Sequence, residues 1–289
     1  MTETNQHILV LGASGMLGNA VMRYFFQETK FSVMGTVRLK DSIGLFPHYL
    51  QDQIAWGVDA DCFDTVSKFI EAQQPDIVIN CVGLVKQLSD VNDPLAALPI
   101  NSLFPHRLAR CCAENDARLI HVSTDCVFSG LKGGYLEEEI PDAHDLYGVS
   151  KRLGEVNYPN AVTLRTSIIG HELNGNRSLI DWFLSQKSSV NGYINAIFSG
   201  LPTVEIARII KDYVIPNEEL CGVYHVSAEP ISKYQLLKLV ADIYGHKIEI
   251  IKDENLKIDR SLDSSRFRKA TGFFPASWSE LITRMRVFR

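Results

Sequence analysis

At 289 residues, with 46% apolar and 22% charged side chains, the chain can bury a sizeable core and does not have the composition of a disordered polymer. A formal charge of -5, with no dense Lys/Arg run, argues against nucleic acid as the main partner. No apolar stretch approaches the roughly 20 residues that cross a bilayer, and the polar residues 1–6 lead straight into an apolar run without a secretion signal, so no membrane partner and a cytoplasmic address are expected.

In chain order, residues 7–12 (HILVLG) predict a buried parallel strand ending in glycine. Met16, Leu17, Ala20, Val21, Tyr24 and Phe25 recur at helical spacing over 16–27, and 31–37 read as a second strand. Residues 61–73 are helical by period, with Phe63, Val66, Phe69 and Ile70 on one face and Pro75 as a stop. Next come a buried strand at 76–81 (DIVINC), part of a helix at 105–115 and a strand at 118–123 (RLIHVS). A helix at 146–157 and a strand at 161–166 (AVTLRT) follow. Such alternation implies an α/β fold with a doubly wound parallel sheet.

After about Ile169 the alternation weakens. Residues 179–184 are apolar, 223–226 are a candidate strand, 234–244 a helix and 247–251 a strand. The expected division is 1–170 for a dinucleotide-binding domain, rejoined by 195–227, with 171–194 and 228–289 as a small substrate-binding lobe.

The first strand runs into Gly12-Ala13-Ser14-Gly15-Met16-Leu17-Gly18, a G-x-x-G-x-x-G spacing. Gly12 permits the tight turn, Gly15 lets the backbone approach a pyrophosphate, and Gly18 lets helix and strand pack closely. The helix N-terminus presents N–H groups and a positive dipole end to phosphates. Lying between a strand and a helix, the turn predicts dinucleotide binding through Gly12, Ser14, Gly15, Met16 and Leu17. An NAD site ordinarily carries an acid at the end of the second strand, but Thr36-Val37-Arg38-Leu39-Lys40 has none before Asp41. Arg38 can pair with a 2′-phosphate, with Lys40 adding charge. NADP(H) is therefore favoured and NAD(H) is the second candidate; a solvated arginine is the plainer reading of Arg38.

Tyr147-Gly148-Val149-Ser150-Lys151 opens the helix after the 118–123 strand, and residues four apart share one helical face. An ammonium near a phenol favours the phenolate, so Lys151 is expected to lower the pKa of Tyr147 and fit it for general acid–base work at a carbonyl. Lys151 would also hold the nicotinamide ribose. Ser123-Thr124-Asp125 ends the preceding strand at the sheet edge where open α/β folds bind ligands, and Thr124 can donate to the same oxygen. A strand-end turn and a partly exposed aromatic are the plainer readings of these residues.

In order along the chain, GASGMLG, STDCVFSG, YGVSKRLGE and LRTSIIG resemble the successive motifs of the extended short-chain dehydrogenase/reductases, dTDP-4-dehydrorhamnose reductase-like branch. The resemblance implies a Rossmann sheet with a small substrate lobe and a Thr124, Tyr147, Lys151 triad. It also implies NADPH reduction of a nucleotide-linked 4-keto-6-deoxy sugar, in deoxysugar and polysaccharide biosynthesis, so a nucleotide-diphosphate sugar is the expected partner. On the same grounds Asp59 lies near the adenine, Cys81-Val82-Gly83 form the turn under the cofactor, and Asn101 bridges active-site waters. Ser123, Asp125, Arg165 and Trp182 fall on the substrate side. Two features depart from the branch: Cys126 stands where a tyrosine is usual, and an aromatic near Ile168–Ile169 is missing, which leaves the exact sugar open.

Other features carry less. The six cysteines contain no C-x-x-C pair and no Cys/His cluster at zinc-ligand spacing, so reduced thiols and no metal are expected. Cys126 has no histidine placed to activate it and reads as a packed thiol. Glu137–Glu139 read as a solvated loop, and His106 and His121 have no paired ligand. A homodimer through sheet-flanking helices is a candidate assembly. Two other readings stay open on this scaffold: a sugar-nucleotide epimerase or dehydratase, and a non-catalytic dinucleotide-binding regulatory subunit.

Overall fold

A computed structural model describes residues 5–28, 30–84 and 92–289; residues 1–4 of the polar N-terminal segment lie outside these. The first half of the chain supplies strands β1 (Gln6–Leu11), β2 (Phe31–Val37), β3 (Ile54–Trp56), β4 (Ile77–Asn80), β5 (Arg118–Thr124) and β6 (Ala161–Thr166). Between them run helices α1 (Met16–Phe26), α2 (His48–Gln51), α3 (Phe63–Gln73), α4 (Pro94–Ala97), α5 (Phe104–Glu114) and α6 (Leu146–Leu153). The strands predicted for this half are present, each buried for the reason the sequence gives: continuous apolar runs suit a sheet covered on both faces. The short β3 was not predicted, because three residues with one buried side chain show no period.

Helix boundaries departed more. The helix expected at 105–115 begins at Pro94 and passes through a π-helical turn, Leu98–Leu103, before α5. The helix expected to reach 157 stops at Leu153, and its C-cap Gly154 packs so closely that a Cβ would lie 1.9 Å from the Asn101 carbonyl oxygen.

The second half adds β7 (Ile168–Ile169), α7 (Leu179–Ser185), β8 (Val190–Tyr193), β9 (Ala196–Phe198), β10 (Leu201–Pro202), α8 (Thr203–Ile209) and β11 (Gly222–His225). It closes with β12 (Ile231–Ser232), α9 (Lys233–Tyr244), β13 (Ile250–Asp253), β14 (Ile258–Asp259), α10 (Ser265–Thr271) and α11 (Trp278–Phe288). The strand expected at 247–251 is therefore shifted to β13.

Seven parallel strands form the central sheet in the order β11-β6-β5-β4-β1-β2-β3. The direction of winding reverses between β1 and β4, which opens a crevice at their C-terminal ends. The second half also builds small sheets, β12-β9-β14 and β13-β8. A separate apolar cluster, including Ile180, Phe183, Leu236, Val240 and Met285, lies under α7, α9 and α11. Phe267, Phe273 and Leu281 join the large core, so the last helices pack against both. No helix of the described residues is long and apolar enough to cross a membrane.

Candidate active site

The glycine turn lines the crevice at β1. Gly12 has φ +79°, and a Cβ there would meet the Cys81 carbonyl carbon and Val82 at 3.1 Å. A Cβ on Gly18 would stand 2.2 Å from the Gly12 carbonyl oxygen, so only glycine lets α1 fold back on its own turn. Gly15 is the N-cap of α1, and no side chain caps it. Ser14 and Gly15 are exposed, Met16 is half-buried and Leu17 is buried. An accessible helix start with uncapped backbone donors fits a dinucleotide pyrophosphate.

Arg38 lies exposed past the end of β2, and Lys40 stacks 5.5 Å from the centre of the Trp56 ring. Asp59 follows β3 and accepts from the Asp61 N–H at 3.1 Å. Beyond β4, the Val82 N–H donates to Asn80 Oδ1 at 3.0 Å. A Cβ on Gly83 would lie 3.6 Å from Lys151 Nζ, so this turn and α6 share one cleft. Burial pushes the Cys81 thiol up to about 12, against the pull of Lys151.

Helix α6 is placed by two short-range devices. Asp145 Oδ1 accepts from the Gly148 N–H at 3.0 Å and caps the helix one residue before it begins. A Cβ on Gly148 would lie 2.4 Å from the Cys126 carbonyl oxygen, so the first turn of α6 rests on the Asp125–Val127 turn. Thr124, at the end of β5, accepts from the Cys126 N–H at 3.1 Å and donates to Asp125 Oδ1 at 3.3 Å. Thr124, Asp125 and Tyr147 thereby meet in one place.

The expected acidification of Tyr147 is not found. Burial raises its phenol above the ordinary range; nearby Cys126, Asp125 and Asp145 add to the rise, and a hydrogen bond with Thr124 opposes it. Lys151 Nζ donates to the Val122 carbonyl oxygen at 3.1 Å. Burial brings Lys151 itself down to about 8, opposed by Glu155 and Cys81. Burial thus keeps the phenol protonated, and Lys151 lies four residues further along the same helix.

Two residues assigned to the substrate side are committed elsewhere. Ser123 donates to Glu155 Oε1 at 2.7 Å. Arg165 grips both oxygens of Glu155, Nε at 2.8 Å and Nη2 at 2.6 Å, while Nη1 lies 2.8 Å from His225 Nε2. Arg165 is 3% exposed and ties β6 to Glu155 and to His225 of β11. Asp125 is buried and its carboxyl is raised by burial, opposed chiefly by Arg260. Trp182 is partly exposed on α7.

The remaining candidates have local partners. Asn101, on the π-helical turn, accepts from the Leu84 N–H at 2.9 Å and donates to Ser150 Oγ at 3.2 Å, which joins that turn to α6. His121 is fully buried, 3.0 Å from Asn80 Nδ2, and burial drives its pKa well down. His106 bonds Tyr158 and the Leu153 carbonyl. Glu137 accepts from the His225 N–H, whereas Glu139 pairs with Lys132. Among the described residues no group of three or more His, Cys, Asp or Glu can hold a metal. Sequence reasoning missed Glu155 and Arg260. The four-residue step from Lys151 to Glu155 was the available signal for the first; nothing local marks the second.

The fold is that of the extended short-chain dehydrogenase/reductases, a class of NAD(P)-dependent oxidoreductases. Residues 6–286 match the RmlD substrate binding domain family, and the chain belongs to it. It is 27% identical to methionine adenosyltransferase 2 subunit beta of Bos taurus over 83% of this chain and 73% of that one. It is 22% identical to dTDP-4-dehydrorhamnose reductase of Aggregatibacter actinomycetemcomitans over 97% of this chain and 98% of that one. The solved structure of dTDP-4-dehydrorhamnose reductase from Bacillus anthracis str. Ames, in complex with NADP, superposes with a TM-score of 0.79. That match covers 98% of this chain and 99% of the other at 21% identity.

Proposed function

We propose that the protein reduces a nucleotide-linked 4-keto-6-deoxy sugar with NADPH. The observation that supports this reading is that Thr124, Tyr147 and Lys151 lie at the cleft shared with the glycine turn, in a chain of this family. Gly12, Ser14, Gly15, Met16 and Leu17 would hold the pyrophosphate, Arg38 the 2′-phosphate and Asp59 the adenosine end. Cys81, Val82 and Gly83 would floor the nicotinamide end, and Asp125 and Trp182 would face the sugar. A bound NADPH supplies the hydride. Tyr147, kept protonated by burial, gives its proton to the carbonyl oxygen as the carbon accepts hydride, leaving an alcohol. The Thr124 hydroxyl orients that oxygen. Lys151, positively charged below about pH 8, positions the ribose and steadies the phenolate left on Tyr147.

Removing only the reacting hydroxyl tests the assignment. Tyr147→Phe should bind NADPH normally and lose about 10²- to 10⁴-fold in turnover; near-normal turnover would reject the role of Tyr147. A second reading has its own support, the similarity to methionine adenosyltransferase 2 subunit beta over most of the chain. On that reading the protein binds dinucleotide and assists another enzyme. Cofactor binding without turnover on any sugar, together with a co-purifying enzyme, would favour it.

A further inference from the structure

A cavity of about 610 Å³, an ordinary size for a small-molecule site, lies between α1 and the second half of the chain. Asn19 and Arg23 of α1 form one wall, Leu45–Pro47 after β2 a second, and the stretch after β7 with α7 a third. None of the lining residues belongs to the glycine turn or to the Thr124, Tyr147 and Lys151 cluster.

The α1 wall is short of acceptors. Asn19 is 5% exposed, and its amide Nδ2 has no hydrogen-bond partner among the described residues. Arg23, one turn on, stacks its guanidinium 4.5 Å from the centre of the Phe288 ring and donates through Nη2 to the Phe288 carbonyl oxygen at 2.5 Å. Its buried Nε is unpartnered, and among the described residues no carboxylate pairs with it. Buried donors are nearly always bonded, so two on one helix face mark a place for an acceptor.

The opposite wall is braced and carries the acids. His171 is held at both ring nitrogens, with Asp181 Oδ1 at 2.5 Å and the Tyr244 hydroxyl at 2.8 Å. Asp181 Oδ2 takes the Glu172 N–H at 2.7 Å and the Ser178 hydroxyl at 3.2 Å, so both its oxygens are engaged. Glu172 is half free: Oε2 accepts from the Arg177 N–H at 2.7 Å, and Oε1 has no partner among the described residues. The two acids keep their charge and balance Arg23 and Arg289, so the lining side chains carry no net excess of either sign. Phe46, Leu173 and Leu184 supply an apolar surface beside them.

We propose that this cavity binds a free α-amino acid with an apolar side chain. A zwitterion suits a lining without net charge: its carboxylate meets Arg23 and Asn19, its ammonium meets Glu172, and its side chain lies against Phe46 and the leucines. Such a ligand would join α1, the helix that begins at the pyrophosphate turn, to the second half of the chain. The site does not depend on the reductase reading.

The test is calorimetric titration of the full chain with leucine and with phenylalanine. Leucinamide, which lacks the carboxylate, and 4-methylpentanoate, which lacks the ammonium, are titrated in parallel. At least one amino acid should bind saturably, and the two truncated probes should bind about tenfold or more weaker than leucine. Arg23→Gln and Glu172→Gln should each weaken the amino acid about tenfold or more. Asn19→Leu, which keeps the shape and removes the amide, should weaken it about threefold or more. Should Arg23→Gln fail to fold, since Arg23 also holds Phe288, Glu172→Gln and Asn19→Leu carry the test. Failure of both amino acids to bind, or unchanged affinity in the variants, would overturn the proposal. Equal binding of 4-methylpentanoate and leucine would overturn it too, because the ammonium would then have no place on Glu172.

Discussion

The two sides of the central crevice are built differently. On the β1–β3 side the site is backbone: Gly12, Gly15 and Gly18 remove side chains, and Ser14 and Arg38 stand in solvent. On the β5–β6–β11 side it is held by a buried polar network, Ser123–Glu155–Arg165–His225, which ends on the Tyr135 and Asp263 carbonyls. On the first side Gly12 and Gly18 leave no room for a Cβ, whereas the exposed Ser14 and Arg38 can change at little cost to stability. The second must keep charges matched out of water, so its stability and the placement of Thr124 depend on the same contacts.

Breaking the network should give the largest contrast. Glu155→Gln leaves the buried Arg165 without its counter-charge and should cost about 3–5 kcal/mol of stability, read by denaturant unfolding. Arg38→Ala should leave stability within about 0.5 kcal/mol. A small loss for Glu155→Gln would erase the distinction between the two sides.

Arg38 sharpens the comparison through cofactor choice. Removing a charge-assisted contact to a 2′-phosphate should weaken NADPH about tenfold and leave NADH nearly unchanged, by fluorescence titration. Equal losses for both cofactors would reject the phosphate role.

A further effect concerns acid. His225 is pushed down to about 3 by burial and by Arg165, below its unfolded value of 6.5. Between those values the unfolded chain binds the extra proton, so stability is lost as pH falls from about 6.5 toward 3, by about 1.4 kcal/mol per pH unit. His225→Gln should flatten that slope; an identical slope would show that His225 is not held neutral.

The same contrast explains what could be read from the sequence. The glycine turn and the Tyr147–Lys151 step are local, so strand, turn and helix announce them within a few residues. Arg165 looked like a substrate residue because its position on β6 was legible while its partner Glu155 was not. Tyr147 was assigned correctly to α6, but the direction of its pKa depends on burial and on Cys126 and Asp125, which only the fold brings near. Strands of two to four residues, such as β9, β12 and β14, show no period at all. Arg260 reaches Phe128 across 132 positions of sequence, beyond any spacing rule.

Reduction of a sugar nucleotide by NADPH at Tyr147 is tested most directly by NADPH oxidation by the purified protein against a panel of nucleotide-linked 4-keto-6-deoxy sugars, with NADH in parallel. Turnover of one such sugar with a preference for NADPH is the predicted result. Tight NADPH binding with no oxidation across the panel would contradict it.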